Sequence, residues 1–500
     1  MKSDPISKRF VTVHREREYG ATPRKRKSPA QVLALGFITI ILIGTLLLML
    51  PISSNSGEFT DWSAALFTAT SATCVTGLVV VDTLGHWSIF GQSVILCMIQ
   101  IGGLGFMSVA VLMSKILRRT VTPRENRLVT EALGLTSAED ASAGFMRRIL
   151  VGTFVVEGVG AALLAIRFVP IFGWKSGLYK SVFHAVSAFC NAGFDVLGDY
   201  GGGFSMTAFT DDPLVMSVLS FLVIFGGIGF VVWSDLFDWV VCHIESLFRR
   251  MREWRGHRWA QSIRSTSAAD ITGRRDKLGV YTKFILLLTA ILLLAGFVLT
   301  LILEWNGVLA EMPIDQKLWT AFFHSVSLRT AGFSAFDNAA LSGAGKGVSI
   351  LLMLIGGASG STAGGIKVGT VGLLFWSVIE IARGKDQIVL MRRTISKDTV
   401  LRAMTVTLIG LCCAFGSALL LSAGCGAGLM DALYETASAY ATVGLSLNLS
   451  PTLNIFGRCL VALLMYMGRV GILTVIYSLA LRHASQGTGA RYPETEFPIG

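Results

Sequence analysis

Four long apolar runs alternate with shorter apolar stretches along this chain. The run at 30–50 has 21 residues without a charge, and the run at 284–303 has 20. Two more, at 149–166 and 403–421, are similar, although the first of them contains Glu157. Because about 20 apolar residues in a helix cross the hydrocarbon core of a bilayer, the pattern predicts several membrane-spanning helices.

One short segment recurs four times between these runs. Each copy begins with an aromatic residue and ends with a glycine followed by an apolar residue, and the third copy is one residue shorter. The copies are Phe67–Leu78, Phe183–Phe194, Phe323–Phe333 and Tyr434–Leu445. A second glycine cluster follows each copy, at Gly102, Gly226, Gly356 and Gly468. Each repeat therefore predicts a helix, a short half-helix, a turn and a second helix.

The segment before each turn is too short to cross a membrane. About ten helical residues cover roughly 15 Å, which is half of the hydrocarbon core. Non-helical backbone at that depth needs partners from protein or from a wet cavity, since lipid offers none. We therefore predict an all-α integral membrane fold with eight spanning helices. Its four helix, re-entrant half-helix, helix (M1-P-M2) repeats stand in a pseudo-fourfold arrangement around one pore.

The repeats divide the chain without leaving room for a separate soluble domain. The predicted units are a basic cytosolic tail at 1–29, repeat 1 at 30–118, repeat 2 with a cytosolic connector at 119–234, repeat 3 with a cytosolic connector at 235–378, repeat 4 at 379–482 and a cytosolic C-terminal tail at 483–500.

Composition agrees with this picture, and the distribution of charge adds a topology. Hydrophobic residues make up 52% of the 500, charged residues only 15%, and the net charge is +11. Thirty-four of the 43 Lys and Arg residues lie in five segments, at 1–29, 113–149, 235–283, 378–402 and after 478. Positive loops stay in the cytosol, so both ends and three connectors are predicted to be cytosolic. We attribute the basicity to topology and expect the lipid bilayer, and no nucleic acid, as its partner.

The four turn glycines suggest a function for the half-helices. Glycine adopts positive φ without steric cost, so that successive carbonyls can point the same way. Four such turns around one axis would form a ring of oxygens that replaces the water shell of a monovalent cation. The alternative for any of these glycines, and especially for those of the second clusters, is close helix packing of the small-xxx-small kind.

The turn sequences Thr73–Leu78, Cys190–Phe194, Arg329–Phe333 and Ala441–Leu445 resemble the four filter sequences of the Trk/Ktr/HKT superfamily of potassium transporters. With eight predicted spans and a C-terminal "RYPE", the chain is most similar to the KtrB membrane subunits. The resemblance implies that Gly77, Gly193, Gly332 and Gly444 bind K⁺ through their carbonyls. Four glycines go with potassium preference in this family. The flanking filter residues would be Thr76, Asn191, Ala192, Thr330, Ala331, Thr442 and Val443.

The resemblance also implies a gate. The segment "GGASGSTAGGIKVGT" at 356–370 is too rich in Gly and Ser for a regular helix and resembles the family's intramembrane gating loop. A flexible helix break is the alternative, and Lys367 would serve equally as an interfacial anchor. Arg469 lies in a long apolar stretch, where a guanidinium is costly, and resembles the family's pore arginine; a structural ion pair is the alternative. The gating residues would be Gly356, Gly357, Ser359, Gly360, Ser361, Gly364, Gly365, Lys367 and Arg469.

By the same resemblance, the chain would be a homodimer in the bacterial plasma membrane and carry a cytosolic nucleotide-binding ring of the KtrA type. The predicted connectors contain no Walker A loop, so we expect no nucleotide on this chain itself and no enzymatic activity. K⁺ would be the transported ion, and a coupling role for Na⁺ stays open. The alternative function is a broken-helix secondary transporter for a small organic solute, with a roomy polar pocket and two inverted repeats.

Four further polar residues lie in apolar surroundings. We expect a buried salt bridge between Arg329 and Glu435 that braces the third turn. His184 and His324 are expected to be packing residues, and Glu157 has no assigned role.

Overall fold

The computed structural model describes residues 29–105, 143–198, 200, 205–254, 278–385 and 387–471. All but residue 29 of the predicted N-terminal tail and the whole predicted C-terminal tail lie outside these residues, as do parts of two predicted connectors and the last residues of repeats 1 and 4. In chain order the helices are α1 (Pro29–Met49), α2 (Trp62–Cys74), α3 (Thr83–His86), α4 (Ile89–Leu104), α5 (Ala143–Phe172), α6 (Trp174–Phe189), α7 (Pro213–Gly227), α8 (Phe230–Trp254), α9 (Val280–Glu304), α10 (Ile314–Ser327), α11 (Gly343–Leu354), α12 (Val368–Ala382), α13 (Lys397–Cys425), α14 (Leu429–Ala441) and α15 (Ile455–Val470).

Four of the described helices, α1, α5, α9 and α13, are long and apolar enough to cross a membrane. Large apolar side chains cover their outer surfaces: Leu46 is 66% exposed and Ile302 is 68% exposed. In water such surfaces would be costly, whereas hydrocarbon solvates them. These helices coincide with the four long apolar runs of the sequence.

The helices that follow the turns are shorter than the predicted spans. Helices α4, α11 and α12 have 12 to 16 residues, and α7 meets α8 at a bend of 105°. The interruption falls at the second glycine clusters, where Gly105, Gly229 and Gly471 have φ of 75°, 91° and 89°. Positive φ ends a right-handed helix, so α4, α7 and α15 end where a glycine permits it. The sequence pattern predicted a break of the second helix only in the third repeat.

The half-helices α2, α6, α10 and α14 occupy the interior. They have 13 to 16 residues, slightly more than predicted, which at about 1.5 Å per residue is still less than a full bilayer crossing. In α2 every residue from Ser63 to Cys74 except Leu66 is buried. Each half-helix packs on the inner side of the long helix before it, so the half-helices form the inner layer and the long helices the outer one.

The packing closes into a ring. Helix α4 contacts α6, α7 contacts α10, α11 contacts α14, and α15 contacts α2 at the start of the chain. The second helices begin at side-chain caps in equivalent places, where Ser88, Asp212, Ser342 and Asn454 each accept from a backbone N–H of the first turn. The chain therefore returns on itself, and its last helix completes the shell around the first half-helix.

A small hairpin joins α12 to α13. Strands β1 (Ile388–Leu390) and β2 (Arg393–Ile395) pair antiparallel, and both turn residues, Met391 and Arg392, have positive φ. This is the backbone of a two-residue hairpin turn, although neither residue is a usual choice for it. The Trp376 indole donates to the Val389 carbonyl at 2.9 Å and holds the hairpin against α12.

Candidate functional site

The four predicted turns share one backbone conformation. In each, the glycine has a φ between 69° and 98°, and the residue two positions earlier also has positive φ, between 52° and 67°. These earlier residues are Val75, Asn191, Thr330 and Thr442. Left-handed backbone costs a non-glycine residue about 1–2 kcal/mol, most of all a β-branched one, so tight packing must maintain it here. Nothing in the repeat pattern marks this position.

The four turns meet at one place. A Cβ placed on any of the four glycines would lie 2.1 to 2.7 Å from a carbonyl oxygen of another turn. The Cβ on Gly77 would meet Ala192 O at 2.4 Å, and the Cβ on Gly193 would meet Ala331 O at 2.7 Å. The Cβ on Gly332 would meet Val443 O at 2.5 Å, and the Cβ on Gly444 would meet Thr76 O at 2.1 Å. Each glycine therefore faces the carbonyl that precedes the next glycine. The order runs through the four repeats and returns to the first, so these eight predicted site residues form a closed ring.

A serine supports each turn from the half-helix before it. The carbonyls of Ser71, Ser187, Ser327 and Ser438 accept the N–H of the residue just before the glycine, at 2.7 to 3.0 Å. The hydroxyls of Ser71 and Ser438 also accept the glycine N–H at 3.0 Å. Those of Ser187 and Ser327 donate to the carbonyl after the glycine, at 2.7 and 2.6 Å. This serine is the fifth residue of all four repeats, a signal that was available in the sequence.

A mouth of about 280 Å³ opens on one side of the ring. All four glycines line its floor, and its walls include the carboxylates of Asp82, Asp195 and Asp337. Carboxylates beside a narrow opening raise the local concentration of cations and repel anions. The electrostatics of the mouth therefore favour entry of a cation.

The irregular loop at 355–367 lies against the other side of the ring. Its Thr362 hydroxyl is 3.1 Å from the side-chain amide of Asn191. A Cβ on Gly364 would lie 2.2 Å from Thr442 Oγ1, so the loop backbone touches the fourth turn directly. The ends of the loop pair with each other through Gly356 N–H to Ile366 O at 2.8 Å. The loop thus crosses beneath the second and fourth turns.

Other predicted gating residues hold this loop in place. Gly357 and Gly360 lie beside the bend between α7 and α8, where the Phe230 N–H donates to the Gly360 carbonyl at 2.8 Å. The Ser361 hydroxyl donates to Ala358 within the loop, and Lys367 Nζ donates to Ala363 at 2.6 Å. Gly365 has φ of 67° and packs on Ala441. Ser359 faces a different cavity, beside α9.

Arg469 joins the loop to the first repeat. Its guanidinium donates to the carbonyls of Thr362 in the loop and of Gly102 and Gly103 at the end of α4. Among the described residues it forms no ion pair, so the alternative of a structural ion pair is not what these contacts show. The guanidinium is thus held by three carbonyls on the loop side of the ring.

Three of the second-cluster glycines, Gly102, Gly226 and Gly468, pack closely against the ends of the half-helices, whereas Gly356 packs on Gly364 within the loop. A Cβ on Gly102, Gly226 or Gly468 would lie 1.9 to 2.0 Å from a carbonyl oxygen four residues before a turn glycine. Here the close-packing alternative describes the structure well: any side chain would push the second helix away from the turn.

The expected pair of Arg329 and Glu435 does not form. Arg329 donates to the Gly356 carbonyl at 3.2 Å, on the loop side of the ring. Glu435 accepts from the hydroxyls of Ser446 and Ser450, which follow the fourth turn. Among the described residues each group thus binds a partner other than the expected one, although Arg329 Nη1 is buried without a hydrogen-bond partner. His184 and His324 are buried as predicted, with contacts to Lys180 O at 2.7 Å and to Ser349 Oγ at 3.4 Å.

Glu157, which the sequence left without a role, lies behind the second turn. Its two carboxyl oxygens accept from the Gln100 amide at 3.1 and 3.2 Å, and Cys190 Sγ is 3.9 Å away. Only 4% of its surface is exposed. The contact ties α5 to α4 two residues before the carbonyls that bind Arg469.

We expect Glu157→Ala to lower the stability of the folded protein by about 1 kcal/mol, because the Gln100 amide would lose its acceptor within the membrane. Glu157→Gln retains an acceptor and should unfold at nearly the wild-type temperature. Thermal unfolding in detergent measures both. Val155→Ala, at a 57% exposed position of the same helix, is the matched control. Equal losses in the Ala and Gln variants would contradict the hydrogen-bond explanation.

The sequence matches a family of transport proteins over most of its length. Residues 7–488 match the family described as TrkH, cation transport protein. The potassium/sodium uptake protein NtpJ of Enterococcus hirae is 38% identical over 95% of this chain and 98% of its own length. The Ktr system potassium uptake protein B of Bacillus subtilis is 38% identical over 95% of this chain and 97% of its own.

A solved structure has the same fold. The potassium transporter TrkH from Vibrio parahaemolyticus superposes with a TM-score of 0.63 and covers 91% of this chain and 86% of its own. Its sequence identity is 17%, so the likeness concerns the fold alone.

Proposed function

This chain belongs to the TrkH family of cation transport proteins, and we propose that it is the ion-conducting subunit of a Ktr-type potassium uptake system. The observation that carries the proposal is the closed ring of the four glycine turns at the floor of an acidic mouth. The names of the 38% identical relatives, potassium or potassium/sodium uptake proteins, support K⁺ as the ion. The organic-solute transporter has no such support.

Selectivity, in this proposal, comes from peptide oxygens. A cation entering from the mouth exchanges its water shell for carbonyls of Gly77, Gly193, Gly332 and Gly444 and of the residues before them. The alternating left-handed positions turn successive carbonyls toward one side of the backbone, and the supporting serines fix their spacing. The four turns would be the centres of four M1-P-M2 repeats, with the broken second helices lining the inner pathway.

The gate, in this proposal, is the loop at 355–367 together with Arg469. The loop blocks the path below the turns, and the guanidinium both anchors it through Thr362 and adds a positive barrier. Opening requires the loop to withdraw, which breaks the contact between Arg469 and either Thr362 or α4. Cytosolic termini, a homodimer, and a cytosolic nucleotide-binding ring that drives this opening complete the proposal. The Ktr-system names of several relatives favour such a partner.

The proposal is tested by uptake in a bacterial host that lacks its own potassium systems. Expression of the full chain with a Ktr-type regulatory partner should restore growth at low K⁺, and rubidium uptake should rise above the empty-vector level. Measurements with and without Na⁺ determine whether sodium is a coupling ion. A membrane-inserted protein that moves neither K⁺ nor Rb⁺ in either condition would contradict the assignment.

A further inference from the structure

A second cavity, distinct from the mouth, lies beside the loop. This groove of about 380 Å³ is enclosed by α9, α12, α13, the hairpin and Ser359 of the loop. None of the four turn glycines lines it. Most of its walls are hydrocarbon, from side chains such as Phe284, Leu373 and Val406. Helices α9 and α13 are both long enough to cross a membrane, so the groove between them borders the bilayer.

Two guanidinium groups without an ion-pair partner among the described residues lie at the groove. Arg402 lines it directly. In the hairpin Leu390 pairs with Arg393, and because cross-strand partners share a face, Arg393 lies on the side where Leu390 enters the groove. Arg393 and Arg402 are exposed, and among the described ion pairs neither has an acidic partner. An apolar cleft with two free guanidinium groups is complementary to a molecule with an acyl chain and an anionic head.

We propose that this groove binds an anionic phospholipid, with its phosphate at Arg393 and Arg402 and an acyl chain between α9 and α13. A soluble anion would leave the apolar walls unused, and a lipid with a neutral head group would leave the two guanidinium groups without a counter-charge. The segment at 378–402 belongs to the basic, cytosolic side predicted from the sequence, where head groups of the inner leaflet lie.

Occupancy of the groove would act on the loop. Helix α12 starts at Val368, directly after the loop, and Gly369 and Thr370 at its beginning line the groove together with Ser359. A lipid between α9 and α13 therefore packs against both the loop and the helix that carries it. This step rests on the proposed function, because it takes the loop to be the gate. The lipid would then control how often the gate opens.

The test uses the purified full chain. Native mass spectrometry should detect retained phosphatidylglycerol in the wild type and little phosphatidylcholine. The double variant Arg393→Gln, Arg402→Gln should retain at least tenfold less phosphatidylglycerol. The double variant Arg392→Gln, Lys397→Gln removes the same charge from exposed positions of the same segment and should retain the wild-type amount. Equal loss in both, or equal retention of the two lipids, would overturn the site.

Two further arms separate other occupants. Inorganic phosphate or glycerol phosphate that displaces the lipid completely at millimolar concentration would show an anion site without an acyl site and overturn the proposal. Ala403→Trp fills the groove and should abolish retention. If it instead converts a dimer to a monomer with retention unchanged, the groove is an interface between copies and the proposal fails.

Transport is measured separately. In vesicles, phosphatidylglycerol should raise Rb⁺ flux severalfold for the wild type and the control variant but not for Arg393→Gln, Arg402→Gln. Retention without any Rb⁺ flux would uphold the lipid site and contradict the transport proposal. Rb⁺ flux without retained phosphatidylglycerol would uphold the transport proposal and contradict the lipid site. If phosphatidylglycerol is retained but does not change the Rb⁺ flux, the proposed effect of the lipid on the gate is overturned.

Discussion

Gly77→Ser is expected to lower the ratio of rubidium to sodium uptake by about tenfold, which corresponds to about 1.4 kcal/mol of discrimination. The substitution adds a Cβ that would lie 2.4 Å from the Ala192 carbonyl oxygen, at a φ of 93° that serine rarely adopts. The first turn must therefore shift away from the second. A carbonyl ring with one displaced corner fits a dehydrated potassium ion less well and tolerates sodium more. Uptake of both ions in the transport-deficient host measures the ratio.

Gly426→Ser is the matched control. Gly426 caps the end of α13 with a φ of 67°, so serine there meets the same backbone strain, but no atom lies within 4 Å of the added Cβ. This variant should keep the wild-type selectivity even if its stability decreases. If the two variants behave alike, or if Gly77→Ser retains the wild-type ratio at normal expression, the ring of turns does not select the ion.

Arg469→Gln is expected to raise rubidium flux about tenfold in vesicles, a gain of about 1.4 kcal/mol for the open state. Arginine contacts the loop at Thr362 and the end of α4 at Gly102 and Gly103 at the same time. Glutamine is shorter and uncharged, so it loses the bridge and the positive barrier together. The loop then leaves its closed position more easily, and a cation below the ring meets less repulsion.

Arg458→Gln provides the comparison within the same helix. Arg458 is near the start of α15, far from the loop, where it donates to Leu453 O and Ser63 Oγ and pairs with Asp61 at 3.7 Å. Its removal deletes an equal charge and should leave flux unchanged. An Arg469→Gln protein that reaches the membrane in normal amounts and conducts like the wild type would refute the gate. One that only fails to accumulate would indicate that Arg469 is structural.

The repeat pattern predicted much of this fold because its signals are local. A long apolar run, a short segment closed by glycine, and a second glycine cluster recur in order, and the long helices and half-helices follow them. The residues of the four turns, predicted as a set, lie together in the structure; their role in binding K⁺ stays a prediction. What made them predictable is that each copy begins with an aromatic residue and ends with a glycine followed by an apolar residue.

Other features carried no such signal. Nothing in a valine or a threonine indicates left-handed backbone, since Val75 and Thr330 adopt it only because the surrounding helices force it. The 105° bend after α7 depends on Gly229, yet the same cluster sequence is equally compatible with a straight helix that packs closely. Arg329 binds the loop through Gly356, whereas Glu435 binds Ser446 at the mouth. The spacing of the two residues in the sequence does not indicate these different surroundings.

The cyclic contact of the four turns has an evolutionary consequence. In an assembly of four identical subunits, every mutation alters all corners of the pathway at once. Here the corners are encoded separately along one polypeptide, so that a single codon changes a quarter of the lining while three quarters keep their chemistry. The four repeats can therefore diverge from one another, as with Arg469 in the fourth repeat and the irregular loop at 355–367 in the third. An assembly of identical subunits cannot diverge in this way.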